Sequence, residues 1–361
     1  MASAHSISRR ALLSASAAAA APVKLPQKIR VALIGLDGHP SEVTKPLPEL
    51  PDVEMVGLWD PKPKALAQFQ KNPRIAGARA YGDKNNWRRM LDETKPEVVG
   101  VCHANSLHAE AIIECLSRGI HVIGEKPIAT TGADLAKVQK AVEAADARKV
   151  RFTSMLPMRF TGQYQALREI ARSGEIGDVI QMDAQKSYRV SDRPDWFYKR
   201  ETYGGTMAWI GIHMIDLMIY TTGRDFTEAF GFQNHIGGPE TGDTENITAT
   251  TFRLDNGGVA LLRMDYLRPK MSPSHGDDRL RLAGTKGVAE YMEATGVTVM
   301  TDTRKHERLT KLPPERSLFS EFLDHIYNGK AAPIPWPEIL RGHQVALGAR
   351  DAMEAGKPRK V

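Results

Sequence analysis

The chain carries two hydrophobic rhythms in succession. In its first 155 residues, continuous apolar runs recur at 29–35 (IRVALIG), 54–60 (EMVGLWD), 97–103 (EVVGVCH), 120–127 (IHVIGEKP) and 150–155 (VRFTSM). Runs this short, with little polar alternation, predict strands covered on both faces, as in a parallel sheet. Between them the apolar positions move to helical spacing. One such segment spans 83–95 and carries Trp87, Met90 and Leu91. A second spans 107–118 and is stopped by Gly119, and a third spans 132–147. Glycine just past the last periodic residue is a helix terminator. Strands alternating with helices predict a doubly wound sheet.

After residue 155 the rhythm changes. A helical segment over 162–173 leads into long alternating strands. Short glycine-bearing turns at 255–258 (DNGG), 284–287 (GTKG) and 294–296 (ATG) predict three hairpins. Two further helices are predicted over 316–328 and 336–356. This half reads as α+β with a mostly antiparallel sheet, so the whole is α/β plus α+β.

A length of 361 residues, 42% of them hydrophobic, suits two domains. The net charge of +6 is spread among acids and forms no stripe, so no nucleic-acid partner is expected. The two cysteines, Cys102 and Cys115, lack metal-site spacing, and no metal site is predicted. No apolar stretch of the mature chain is long enough to span a membrane. The first 27 residues differ from everything after them. They are rich in Ala and Ser, with Arg9-Arg10 ahead of an apolar stretch and small residues at Ala18, Ala20 and Ala21. This composition resembles a twin-arginine export signal, which predicts a disordered leader and a periplasmic or otherwise exported protein. That route carries proteins already folded, often with a cofactor inside.

Candidate chemistry clusters at the ends of the predicted strands. Gly35-Leu36-Asp37-Gly38-His39-Pro40 follows a strand and opens a short helix that Pro46 must end. Only the first glycine of a G-x-G-x-x-G pattern is in register; Asp37 and Pro40 hold the other two places. Gly38 shifts the turn by one residue. Read alone, this loop is either a cofactor turn or an ordinary strand-to-helix turn. Asp60 stands where a carboxylate would accept the adenosine ribose hydroxyls, which favours NAD over NADP. Lys62 and Lys64 lie just beyond, and the bland alternative is that Asp60 caps the next helix. Lys126, in Glu125-Lys126-Pro127, sits at the carboxyl end of a parallel strand, where open α/β sheets bind ligands. Finally, His213 and Asp216 interrupt an apolar run at 204–220 (GGTMAWIGIHMIDLMIY). They are either paired core residues or part of a site.

Taken together these motifs resemble the Gfo/Idh/MocA family of oxidoreductases, over nearly everything from residue 28 onward. The marks are the turn at Gly35, Asp60, and the stretch 105–110 (NSLHAE). They continue through Glu125-Lys126-Pro127, Arg159-Phe160, the block Gly204-Gly205…Gly211-x-His213-x-x-Asp216, and the turn at 284–287. The resemblance implies a Rossmann dinucleotide-binding domain over 28–150 and an open-faced, mostly antiparallel substrate domain over 151–361. It implies a cofactor, NAD with NADP as the alternative, held by Gly35, Asp37, Gly38, His39, Asp60, Asn105, His108 and Glu125. It gives Lys126 and His213 the catalytic roles, and Arg159, Trp209 and Asp216 contact with a carbohydrate or polyol. It also implies a homo-oligomer formed through the open sheet face.

Two departures from the family pattern matter. Trp209 stands where the family often has an aspartate, four residues before the histidine. The spacing predicts that Trp209 and His213 share one helical face, with the indole as a stacking platform for a sugar. His103 occupies a strand end where the family often has Thr or Ser. Three functions are compatible with these residues: an oxidoreductase acting on a sugar or cyclitol hydroxyl, an NAD-assisted glycoside hydrolase or lyase with no net redox, and a non-catalytic binding protein of the same fold.

Overall fold

A computed structural model describes residues 23–83 and 86–361. Most of the expected export signal lies outside the described residues. Its last five residues do not behave as a detached leader: Val23 and Leu25 pack on the core, and Asn328 Nδ2 donates to the Lys24 carbonyl at 3.0 Å. The fold therefore begins before the boundary expected at residue 27.

The first half builds a six-stranded sheet from β1 (Ile29–Ile34), β2 (Val53–Trp59), β3 (Arg79–Tyr81), β4 (Val98–Val101), β5 (His121–Gly124) and β6 (Phe152–Ser154). All pairs are parallel, and the order is β3-β2-β1-β4-β5-β6. Leu33 and Ile34 are fully buried, each contributing on the order of 1.5–3 kcal/mol. β3 escapes sequence reading because it has three residues, two of them exposed. β6 lies beyond residue 150, so the first domain runs a few residues past its expected end. The helix after β1 lasts only from Ser41 to Thr44 before Pro46 starts a 3-10 turn at Leu47–Glu49. The chain reverses direction across the sheet between β1 and β4, and this places a crevice outside their carboxyl ends.

The second half builds a nine-stranded sheet from β7 (Val179–Tyr188), β8 (Phe226–Asn234), β9 (Ile247–Leu254), β10 (Val259–Asp265), β11 (Gly276–Gly284), β12 (Gly287–Met292), β13 (Gly296–Thr301), β14 (Arg304–Arg308) and β15 (Arg359–Lys360). Its order is β14-β13-β12-β11-β7-β10-β9-β8-β15, antiparallel except for β7 with β10. The three expected hairpins join β9 to β10, β11 to β12 and β12 to β13. β9 shows the two-faced pattern: Thr248, Thr250, Phe252 and Leu254 are buried, while Ala249, Thr251 and Arg253 are exposed. One face thus packs on helices and the other stays open. The helix Trp336–Ala355 lies against both the helix Ile212–Thr222 and the helix Gly132–Asp146 of the first domain.

Candidate active site

The turn after β1 is built around two glycines. Gly35 has φ +87°, and a Cβ there would lie 2.4–2.5 Å from the Cβ, Cα and backbone nitrogen of His103. Only glycine adopts that backbone without strain. Gly38 donates its N–H to the Cys102 carbonyl at 2.9 Å. A Cβ at Gly38 would lie 2.9 Å from Glu125 Oε2. Both positions are glycine because the turn packs directly against the ends of β4 and β5, leaving no room for a Cβ. Asp60 is buried at the end of β2, where its oxygens accept the N–H groups of Leu36 (2.9 Å) and Lys62 (2.8 Å). Burial raises its pKa, against those two N–H groups. It anchors the turn and the approach to the next helix, and each oxygen has acceptor capacity left after these bonds. Asp37, in the place of the second glycine, pairs with Lys62 Nζ at 2.9 Å. That pairing offsets the like charge Asp37 would set beside a pyrophosphate. Asn105 donates from Nδ2 to the Tyr203 carbonyl at 2.8 Å, and its Oδ1 is buried without a partner. The turn, Asp60 and Asn105 fit a dinucleotide.

Glu125 ties this turn to Lys126. Its Oε2 accepts the His39 N–H at 2.7 Å, and His39 Nδ1 lies 2.9 Å from both carboxylate oxygens. Burial alone would raise the Glu125 pKa, but His39, Lys126 and His108 outweigh it and bring it down to about 2. Lys126 follows, with only 2% of its surface exposed. Its Nζ donates to the Trp209 carbonyl at 2.9 Å, stands 4.5 Å from the centre of the Trp209 ring, and is 3.8 Å from Glu125 Oε1. Burial brings its pKa down to about 7; Glu125 opposes the fall, and Lys186 and Arg193 deepen it.

The run containing Trp209 is not one regular helix. Met207–Gly211 form a π-helical turn that leads into the α-helix Ile212–Thr222. Such widened turns often mark functional sites, and here one presents the Trp209 carbonyl to Lys126. Trp209 adjoins Lys126 directly, and His213 lies near enough for the Lys126 charge to act on its ring. Burial, then the charges of Lys126 and Lys186, hold the His213 pKa well below the ordinary histidine value, so the ring is neutral near pH 7. Its Nδ1 is buried without a partner. The stacking-platform role expected of Trp209 is corrected. Lys126 and Arg193 lie over its ring, and Trp196, Phe197 and Tyr203 crowd it. Trp209 shapes the lysine's surroundings instead.

A second wall was not found in the sequence. Lys186 on β7 is fully buried, pairs across the sheet with Asp278 of β11, and donates to Asp278 Oδ2 at 2.9 Å. Burial works against its charge, but Tyr188 and Asp278 outweigh burial and raise its pKa. Tyr188 stacks on His275, with ring centres 5.1 Å apart. Arg193 completes the wall beside Trp209 and Tyr266. The available signal was a lysine at an inward position of an alternating strand. A groove of about 530 Å³ lined by Lys95, Glu97, Arg118, His121 and Tyr327 lies instead at the amino ends of β4 and β5. It is at the edge of the sheet opposite the ligand crevice.

Three expected contacts are corrected. Arg159 and Asp216 hold each other in a buried fork, Nε to Oδ2 at 2.8 Å and Nη2 to Oδ1 at 2.6 Å, and Arg159 also pairs with Glu338. Their polar atoms are committed to joining helices rather than to a substrate. His108 is fully buried with Nδ1 2.8 Å from the Pro127 carbonyl and Nε2 2.8 Å from the His103 carbonyl. Both ring nitrogens face main chain, so His108 braces the loop around Lys126 and has no atom left for a cofactor. His103 stacks on it at 5.4 Å, with its own Nδ1 buried and unpartnered.

Comparison with known proteins agrees with this architecture. Residues 29–155 match the oxidoreductase family with an NAD-binding Rossmann fold, and residues 164–290 match the GFO/IDH/MocA C-terminal domain. The D-glucoside 3-dehydrogenase of Escherichia coli is 31% identical over 237 residues; the match covers 60% of this chain and 63% of that protein. The myo-inositol 2-dehydrogenase of Thermotoga maritima is 25% identical over 280 residues, covering 76% and 78%. A solved structure from Thermotoga maritima superposes with a TM-score of 0.84 at 30% identity, covering 92% of this chain and 100% of that one. Levoglucosan dehydrogenase, solved with NADH and levoglucosan, shares the fold with a TM-score of 0.78 at 18% identity. With both halves matched in the same order, and with a glycine turn and Asp60 where a dinucleotide needs them, the chain belongs to the Gfo/Idh/MocA family of NAD-binding oxidoreductases.

Proposed function

We propose that the protein oxidises or reduces a hydroxyl-bearing carbon of a sugar, sugar derivative or cyclitol, outside the cytoplasm, as an oligomer formed through its open sheet face. The observation that carries the chemistry is the buried Lys126, brought down to about pKa 7, with its ammonium near enough to help keep His213 neutral. Bound NAD supplies the hydride acceptor or donor. The chain's own residues handle the oxygen. Lys126 donates to the substrate oxygen and fixes its place, which costs Lys126 part of its bond to the Trp209 carbonyl. His213, kept neutral by its surroundings, takes the hydroxyl proton in oxidation and returns it in reduction. Glu125 links the two functions, because it holds the cofactor turn through His39 and borders Lys126.

D-glucosides, myo-inositol and levoglucosan are the first substrates to test, because relatives are named for them. With NADH formation as the readout, His213→Ala is expected to lower turnover by about 10²–10⁴-fold. Full activity in that variant would reject the assignment. Export rests on Arg9-Arg10. Fractionation of cells producing the double variant Arg9→Lys, Arg10→Lys should find the protein retained inside, and unchanged export would reject a twin-arginine route.

A further inference from the structure

We propose that the natural substrate is an acidic sugar or polyol and that Arg193 receives its carboxylate. The inference rests on the reading of the site as that of a sugar or polyol oxidoreductase. Its basis is a guanidinium that shares the Trp209 ring with Lys126 and has no carboxylate partner. Arg193 lies among aromatic rings, with Cζ 5.2 Å from the ring centres of Phe197 and Trp209 and 6.0 Å from that of Tyr266. Its hydrogen bond is a single long one, Nη2 to the Arg189 carbonyl at 3.3 Å, and its Nε is buried with no partner. Among the described residues no carboxylate lies within ion-pair distance. Arg159, Arg200 and Arg350 have carboxylate partners in Asp216, Glu245 and Asp351; Arg189, whose Nε is likewise buried without a partner, has none among the described residues but donates to the Lys270 carbonyl at 3.0 Å. A guanidinium is always charged and has five donors in a fixed fork. Leaving most of them unanswered among rings is costly unless an anion answers them.

The position ties Arg193 to the chemistry. Its guanidinium and the Lys126 ammonium lie over the same Trp209 ring, at 5.2 and 4.5 Å. An anion on Arg193 is therefore within one small molecule's reach of the oxygen that Lys126 holds. The charge balance also fits a single negative group. Lys186 is already matched by Asp278, and Glu125 is taken by His39 and Lys126. Of the two described cations over the Trp209 ring, Lys126 borders Glu125 and Arg193 has no carboxylate partner. Its planar fork matches the two oxygens of a carboxylate, while a phosphate dianion would need a second cation. Asp278 Oδ1, buried without a partner, is placed to accept from a sugar hydroxyl nearby.

The test is calorimetric binding to the full chain in saturating NADH, using methyl β-D-glucuronide, methyl β-D-glucoside and glucose 6-phosphate. The glucuronide should bind at least about tenfold tighter than the glucoside, the scale of one charged hydrogen-bonded contact. In Arg193→Gln that ratio should fall to near one. In Arg193→Lys it should be partly kept, since the charge remains and the fork is lost. No preference in the wild-type protein, a preference that survives Arg193→Gln, or tighter binding of the phosphate would each overturn the proposal. Turnover measured alongside separates the two readings. A glucuronide preference that depends on Arg193, with no NADH formed from any sugar, supports the acid site and removes the redox reading. Oxidation of the glucoside with no acid preference does the reverse.

Discussion

At the scale of single residues the site is an exercise in moving protons by placement. Lys126 is surrounded by charges that push its pKa both ways: Glu125 raises it, while burial, Lys186 and Arg193 lower it. The pH profile of kcat/KM should therefore carry an inflection near 7. Glu125→Gln removes an influence that favours the ammonium, so the inflection should move to lower pH. Lys186→Met removes one that opposes it, so the inflection should move to higher pH. Steady-state profiles of the two variants check both signs, and an inflection that stays in place in both would belong to another group. Trp209 contributes through its carbonyl and its ring. Lys126 keeps an acceptor and a π-face without any added charge.

At the scale of elements, the most informative contact is the fork between Arg159 and Asp216. It joins the 3-10 turn Pro157–Phe160 to the helix Ile212–Thr222, and Glu338 brings in the helix Trp336–Ala355. Arg159→Leu would leave Asp216 buried and unpaired, and should lower stability by about 3–5 kcal/mol. Replacing both by leucine should recover much of that loss, as urea midpoints would show. A loss of substrate affinity without a loss of stability would instead give the pair a binding role. The strands β1, β2, β4, β5 and β6 were legible because each lies in a continuous apolar run, and the three hairpins because each is marked by a glycine turn. β3 was not, because two of its three residues are exposed and they form no apolar run. In the candidate site, Gly35, Asp60, Lys126 and His213 stand out by motif and position. Arg159, Asp216 and His108 carried the same kind of signal, yet their polar atoms are taken by partners far away in sequence that no local pattern reveals. Lys186 and Arg193 were missed for the converse reason: each acquires meaning only when separate strands and loops converge.

At the scale of the molecule, the first domain and the cleft are rich in buried neutral histidines. Burial lowers the pKa of His103, His108 and His213, and brings His121 and His343 to about 4. Unfolded, each would bind a proton near its ordinary value of 6.5. Between about 6.5 and 4 the unfolded chain thus holds more protons than the folded one, and stability falls as pH falls. Each such group contributes up to about 1.4 kcal/mol per pH unit across that window. Urea midpoints at pH 8, 6 and 5 should decline steeply over the last interval, and a flat profile would mean that these rings accept protons without unfolding.

The helix Trp336–Ala355 has a bearing on how such proteins can be recombined. It is the last long element of the chain, yet His343 Nε2 accepts the Ile128 N–H at 3.2 Å, and Arg350 Nη1 donates to the carbonyls of Thr130 (2.6 Å) and Gly204 (3.0 Å). The loop that carries Lys126 is therefore held from behind by residues more than 200 positions later. A chimaera that joined residues 23–155 to the sheet of another relative would import a foreign clasp for that loop. The transplantable unit is discontinuous: the nucleotide domain together with the final helix, with the sheet as the exchangeable insert between them.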